Sequence, residues 1–183
     1  MRIEPELDEV VNGPRGMLRA IEVCLAEQCL VSAVTLIFSA IDALAALTRP
    51  KDAPETDRRI FIDWVDRYIK PEEKLECNSI ELYSARCGVL HTSMPDSRLT
   101  RYGEARPIIY EWRGGPAADA SMPLPDGALI LFIEDLHSAF CAAVRQFIID
   151  STTQHDLKGR VLHHLKTLLC YRPWPQLSVH TAA

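Results

Sequence analysis

The sequence predicts an all-α fold, a bundle of five or six helices with a short β hairpin insertion. Three observations lead there. Apolar residues recur at i, i+3, i+4 and i+7 through most of the chain, the period of a one-faced helix. That period is lost between about 93 and 127, where Pro95, Gly103, Pro107, Gly114, Gly115, Pro116, Pro123, Pro125 and Gly127 punctuate the sequence. It returns from Ala128 onward. The chain of 183 residues, 48% of them apolar, suits one domain spanning 1–183 with a core of its own.

The elements follow in order. Gly13-Pro14 makes a break, and a helix is expected over about 15–28, striped by Leu18, Ile21 and Leu25. The next pattern is stronger. Ala33, Leu36, Ile37, Ala40, Ile41, Leu44 and Leu47 keep helical spacing from Val31 to Thr48, and Pro50 and Pro54 end it. Its many Ala and Ser residues allow a neighbouring helix to approach closely. Ser32, Thr35, Ser39 and Asp42 interrupt the apolar run, so a buried helix is expected rather than a membrane span. Thr56 is a candidate N-cap for a helix carrying Ile60, Phe61, Trp64, Val65, Tyr68 and Ile69. Asn78 or Ser79 can cap the following one, striped by Ile80, Tyr83, Cys87 and Leu90, weakening at Gly88 and ending near His91.

Within 93–127 the segment Arg106–Arg113 has β-type residues and predicts a strand, with a hairpin or ordered lid around it. A long amphipathic helix is expected over 128–149, and a C-terminal helix over about 155–170, with irregular chain from Arg172.

Composition excludes several classes of function. The net charge of −5 excludes an overall basic nucleic-acid binder but leaves room for a local basic face. The six cysteines form no Cys-x-x-Cys, so neither a disulfide scaffold nor a structural zinc site is expected, and the thiols read as reduced. Met1 to Val11 is acidic and lacks the basic start and apolar core of a signal peptide, which predicts a cytoplasmic chain. Phosphate-binding glycine loops, a nucleophile elbow, His-Glu-x-x-His and EF-hand spacings are all missing, and no metal or cofactor is expected.

The stretch Leu82-Tyr-Ser-Ala-Arg-Cys-Gly-Val-Leu-His-Thr92 carries the chemistry. Arg86 and His91 have four residues between them at the end of a helix. This resembles the Arg-x(4–6)-His motif of the HEPN superfamily of nucleotide-binding and RNase domains. The order of an Ala/Ser-rich helix, a helix ending in Tyr68-Ile69 and then the Arg…His helix is similar to the HEPN arrangement, over about 15–150. The resemblance implies a homodimer with the Arg and His of both chains in a shared cleft, and metal-independent RNA cleavage in active members. It implies that His91 is the general base on a ribose 2′-hydroxyl and that Arg86 holds the scissile phosphate. Non-catalytic members imply a second reading, a bundle that binds a nucleotide or another protein. A toxin of a stress or phage-defence system would also have an antitoxin partner.

On an unbroken helix, residues five apart lie about 140° from each other. Arg86 and His91 therefore converge only if the helix distorts near Gly88 or a second copy supplies half of the site. An acid inside the apolar helix, Asp42, needs a partner or an exposed position. It either orients Arg86, of its own or a second chain, or lies on a solvated face. Arg86 can pair with Asp42 or Glu81, and His91 also suits the negative end of a helix.

Arg98, Arg101, Arg106 and Arg113 alternate with Tyr102, Tyr110 and Trp112, a mixture that suits phosphate contact and base stacking. Of these, Arg98, Arg101 and Tyr102 are the candidate RNA contacts. The run His155, Lys158, Arg160, His163, His164, Lys166 and Arg172 reads as a solvated basic face, and Arg59, Asp63, Asp66 and Arg67 as surface ion pairs.

Overall fold

The structure, a computed structural model, describes residues 3–70, 75–92, 94–115 and 123–168. It is an all-α bundle with a short β insertion. The helices are α1 (Ile3–Asn12), α2 (Met17–Ala26), α3 (Leu30–Ala46), α4 (Arg58–Tyr68), α5 (Ser79–Thr92), the single turn α6 (Arg98–Arg101), α7 (Ile133–Thr153) and α8 (His155–Leu165). Two of the eight, α1 and α6, are not expected from the sequence. The acidic start of α1 hides its inward residues Leu7 and Val11, both fully buried.

Helix α3 is the central element and touches α2, α4, α5 and α7. The stripe expected from the spacing is buried at Ala33, Ile37, Ala40, Ile41, Leu44 and Leu47, with Leu36 half-buried and Val34 and Phe38 added to it. Buried Ala40 and Ala45 provide the close approach. Against it, Trp64, Tyr68 and Phe147 form an aromatic cluster with ring centroids 5.2 to 6.0 Å apart, joining α4 to α7. Between α2 and α3 the chain turns through Gln28, a non-glycine residue with φ of 58°.

Three local expectations are corrected. The N-cap of α4 is Asp57 rather than Thr56, its carboxylate accepting from Ile60 N at 2.9 Å. Helix α5 does not weaken at Gly88; it runs on to Thr92. A Cβ at Gly88 would collide with the Met94 carbonyl oxygen, so glycine here lets the following loop lie against the helix. The insertion is not a hairpin. Strand β1 (Ile108–Glu111) pairs in parallel with β2 (Leu129–Phe132), with Ile108 opposite Leu129 and Glu111 opposite Phe132. A parallel pair requires a crossover between its strands. Strand β2 thus takes the first residues of the expected 128–149 helix, and α7 starts at Ile133.

Two short ion pairs, beside a longer one from Glu104 to Arg58, fasten this insertion. Arg106 Nε donates to Glu81 Oε1 of α5 at 2.6 Å, and Arg113 pairs with both carboxylate oxygens of Asp135 at 2.9 and 2.6 Å. The last residues of the expected 155–170 helix, from 169, and the irregular segment after Arg172 lie outside the described residues. No described helix is long and apolar enough to cross a membrane.

Candidate functional site

Helix α5 begins with a reciprocal cap. Asn78 Oδ1 accepts from Glu81 N at 2.9 Å, while Glu81 Oε2 accepts from Asn78 N at 2.8 Å. This fixes the start of the helix, and seven residues later Arg86 faces α3. Its Nε and Nη2 both donate to Asp42 Oδ2, at 2.7 and 2.6 Å. The pair is about three-quarters buried, with side-chain exposures of 23% for Arg86 and 25% for Asp42. Burial works against the charged guanidinium, but the hydrogen bond and charge of Asp42 outweigh it and hold the Arg86 pKa above the ordinary arginine value. Of the two acids the sequence offered to Arg86, Asp42 is the one it meets. Glu81 is taken by Arg106.

His91 lies in the last turn of α5 and is exposed. Because α5 is unbroken, Arg86 and His91 point about 140° apart within one chain. The chain brings Arg86 to Asp42 and leaves His91 on another face.

Beyond Arg86 the helix borders a cavity of about 360 Å³, lined by Tyr83 and Cys87 of α5, Arg58 of α4, and Arg98 and Glu104 of the insertion. The Arg58 guanidinium stands 5.5 Å from the centre of the Tyr83 ring and 3.9 Å from Glu104. Burial and the adjacent Cys87 raise the Tyr83 pKa, while Arg86 and Arg58 act the other way. Arg58 and Tyr83 were not readable as site residues. Tyr83 and Cys87 have the i, i+4 spacing of one helix face, but nothing local marks Arg58 as their neighbour.

The candidate RNA contacts divide. Arg98 lines this cavity and lies 5.6 Å from the centre of the Tyr102 ring, which is 69% exposed. Arg101 instead pairs with Asp96 at 3.0 Å on the surface. Arg106 and Arg113 hold the insertion to α5 and α7. A capping box at Ser97 and Thr100 starts α6, and Ser97 Oγ also meets Ser84 Oγ of α5 at 2.6 Å, so Arg98 has a fixed base.

The expected surface pairs on α4 form in part. Arg59 meets Asp63 at 3.7 Å, but Arg67 reaches across to Asp150 at 2.7 Å and Gln154 at 2.6 Å. The expected solvated basic face on α8 holds in part, since His155, His163 and Lys166 are exposed while His164 is buried and Arg160 half-buried. Among the described residues no group of three or more His, Cys, Asp or Glu side chains is placed to hold a metal ion.

No family model, curated protein or solved structure matches this chain.

Proposed function

We propose that this protein is a HEPN-like, RNA-directed homodimer of the cytoplasm that cleaves RNA without a metal, using Arg86 and His91 from opposite subunits. The observation that carries the reading is the Arg86–Asp42 pair, a guanidinium held by one carboxylate oxygen, whose neighbour Cys87 lines a cavity rimmed by Arg58 and Arg98. Arg86 Nη1 has no oxygen partner among the described residues and lies 4.0 Å from Cys87 Sγ. It is therefore left to meet a phosphate.

Two copies related by a two-fold axis across α5 would run that helix antiparallel, bringing each Arg86 toward His91 of the partner subunit. The exposed apolar side chains Val31 and Met94 rim an apolar cleft of about 340 Å³ next to the end of α5 that carries His91, a surface a second copy would cover. In this arrangement His91 takes the proton from a ribose 2′-hydroxyl. The 2′-oxygen bonds to phosphorus, the bond to the 5′-oxygen breaks, and the 5′-oxygen takes a proton from water and leaves as a hydroxyl. The product is a 2′,3′-cyclic phosphate. Arg86 balances the charge on the phosphoryl oxygens, Asp42 orients Arg86, and Arg98, Arg101 and Tyr102 hold the flanking strand. A toxin of this kind is paired with an antitoxin.

The test is cleavage of total tRNA and of a short single-stranded RNA in EDTA. The wild type is expected to yield cyclic-phosphate ends, and His91→Ala and Arg86→Ala to lose at least a hundredfold in rate. Mixing the two variants should restore part of the activity, because a mixed dimer contains one intact site. A silent wild type would overturn the enzyme. It would favour the second reading, a non-catalytic bundle that binds a nucleotide or another protein, which the separation of Arg86 and His91 on an unbroken α5 supports.

A further inference from the structure

Just past the C-terminal end of α3, at Thr48-Arg49-Pro50, a second polar cavity begins. His164 of α8 reaches this corner. Its Nε2 lies 3.2 Å from the Arg49 carbonyl oxygen and 3.3 Å from that of Pro50. Both carbonyls can only accept, so Nε2 carries a hydrogen. His164 is 5% exposed, and it clamps the backbone of residues 49–50 against α8. Between this corner, α4 and α8 lies a cavity of about 270 Å³, close to the lower end of the range for small-molecule sites.

Its walls carry more positive charge than the protein balances. Arg67 is satisfied by Asp150 and Gln154, and Asp63 turns to Arg59. Neither Arg49 nor Arg160 has an acidic partner among the described residues, and Lys51 stands close to Gly159 of the same helix as Arg160. The hydrogen-bond pattern points the same way. Five buried side-chain polar atoms among the described residues have no hydrogen-bond partner, and three of them belong to residues lining this one cavity: Arg49 Nε, Arg160 Nε and Trp64 Nε1. All three are donors. Trp64 is 2% exposed and fixed by its ring neighbours, so its N–H does not escape to bulk water. A buried donor left without an acceptor is costly, and three such residues around one cavity with surplus positive charge describe a place where acceptors and negative charge are missing.

We infer that this cavity is a binding site for a small organic anion, whose phosphate or carboxylate group sits between the Arg49 and Arg160 guanidinium groups, with its apolar body against Ile60 and Leu157. A guanidinium presents paired donors to either oxyanion. Tyr68 adds an aromatic wall, its hydroxyl 3.3 Å from Asp150. The site is independent of Arg86 and His91 and stands whether or not the protein cleaves RNA.

The experiment is isothermal titration calorimetry on the full chain at constant ionic strength. The probes are phenyl phosphate and phenylacetate, which carry the two oxyanions on similar rings, and neutral benzyl alcohol. Saturable one-to-one binding of either anion, with none of the alcohol, is expected, and the tighter of the two names the headgroup. Arg160→Gln and Arg49→Gln should each weaken it at least tenfold, and Arg19→Gln on the exposed face of α2 should bind as the wild type does. A structural role for Arg160 is separated by melting without ligand. Removing an uncompensated charge should leave the Tm of Arg160→Gln unchanged or higher. Absence of saturable binding, undiminished binding in both arginine variants, or a lowered unliganded Tm with binding intact would overturn the assignment.

Discussion

Gly88 shows how one side chain's absence shapes the region around Arg86. The loop after α5 folds back so that the Met94 carbonyl oxygen occupies the space a Cβ would need. Gly88→Ala should cost about 1–3 kcal/mol in urea unfolding, the usual penalty of overpacking, with the loss felt at Met94–Ser97 rather than in α5 itself. From sequence, this glycine reads as a helix breaker, because the backbone that packs on it comes from a loop with no periodic signal. The pairing of Asp42 with Arg86 was among the readable possibilities, because an acid inside an apolar helix needs a partner. His164 was not readable, since a His-His pair in a run of bases looks solvated. Its burial, together with the nearby Arg49, pushes its pKa below the ordinary histidine value, as burial does for His137. The unfolded chain then binds the proton more readily than the folded one. The stability these neutral rings contribute is complete above about pH 6.5 and is lost as pH falls through their lowered folded-state values. A Tm series from pH 8 to 5 should show that decline, and His164→Gln should flatten part of it.

The elements were legible wherever a long period met a clear cap. Helices α3, α4 and α5 lie within a few residues of their expected positions because each buries a stripe between recognisable ends. Strand β2 failed this way of reading. Leu129-Ile130-Leu131-Phe132 is a short apolar run continuous with α7, and such a run has no period of its own to separate strand from helix. What decides it is the partner strand, 21 positions earlier in the register. The insertion owes its position to Glu81, which is buried while Arg106 is half exposed. Burial would raise the Glu81 pKa, but hydrogen bonds from Arg106 and Asn78 more than offset it and hold the value below the usual glutamate range. Its contribution is therefore present above about pH 4.5 and is lost as pH falls through the lowered folded-state value. Arg106→Ala should destabilise the protein by about 1–3 kcal/mol at neutral pH, flatten its acid limb, and expose residues 105–115 to limited proteolysis.

At the scale of the whole molecule, α3 joins two chemically different regions. Its C-terminal part supplies Asp42 to the Arg86 site, and the residues just past its end open on the arginine-lined cavity. The helical class was readable from period alone, whereas the second region depends on α4 and α8 meeting beyond Pro50, a long-range fact that no local pattern encodes. The parallel sheet also has a consequence in time. A hairpin can zip outward from its turn, but β1 and β2 have no shared turn and must close a loop of about twenty residues before their first ladder bond forms. Their alignment therefore waits until α5 and α7 have each packed on α3 and α4, which fixes the two ends. In pulsed hydrogen exchange during refolding, amides of 108–111 and 129–132 should gain protection after those of α3 and α7. The insertion that carries Arg98 would then be the last part of the fold to set, and the Arg86 site would be complete only when folding is.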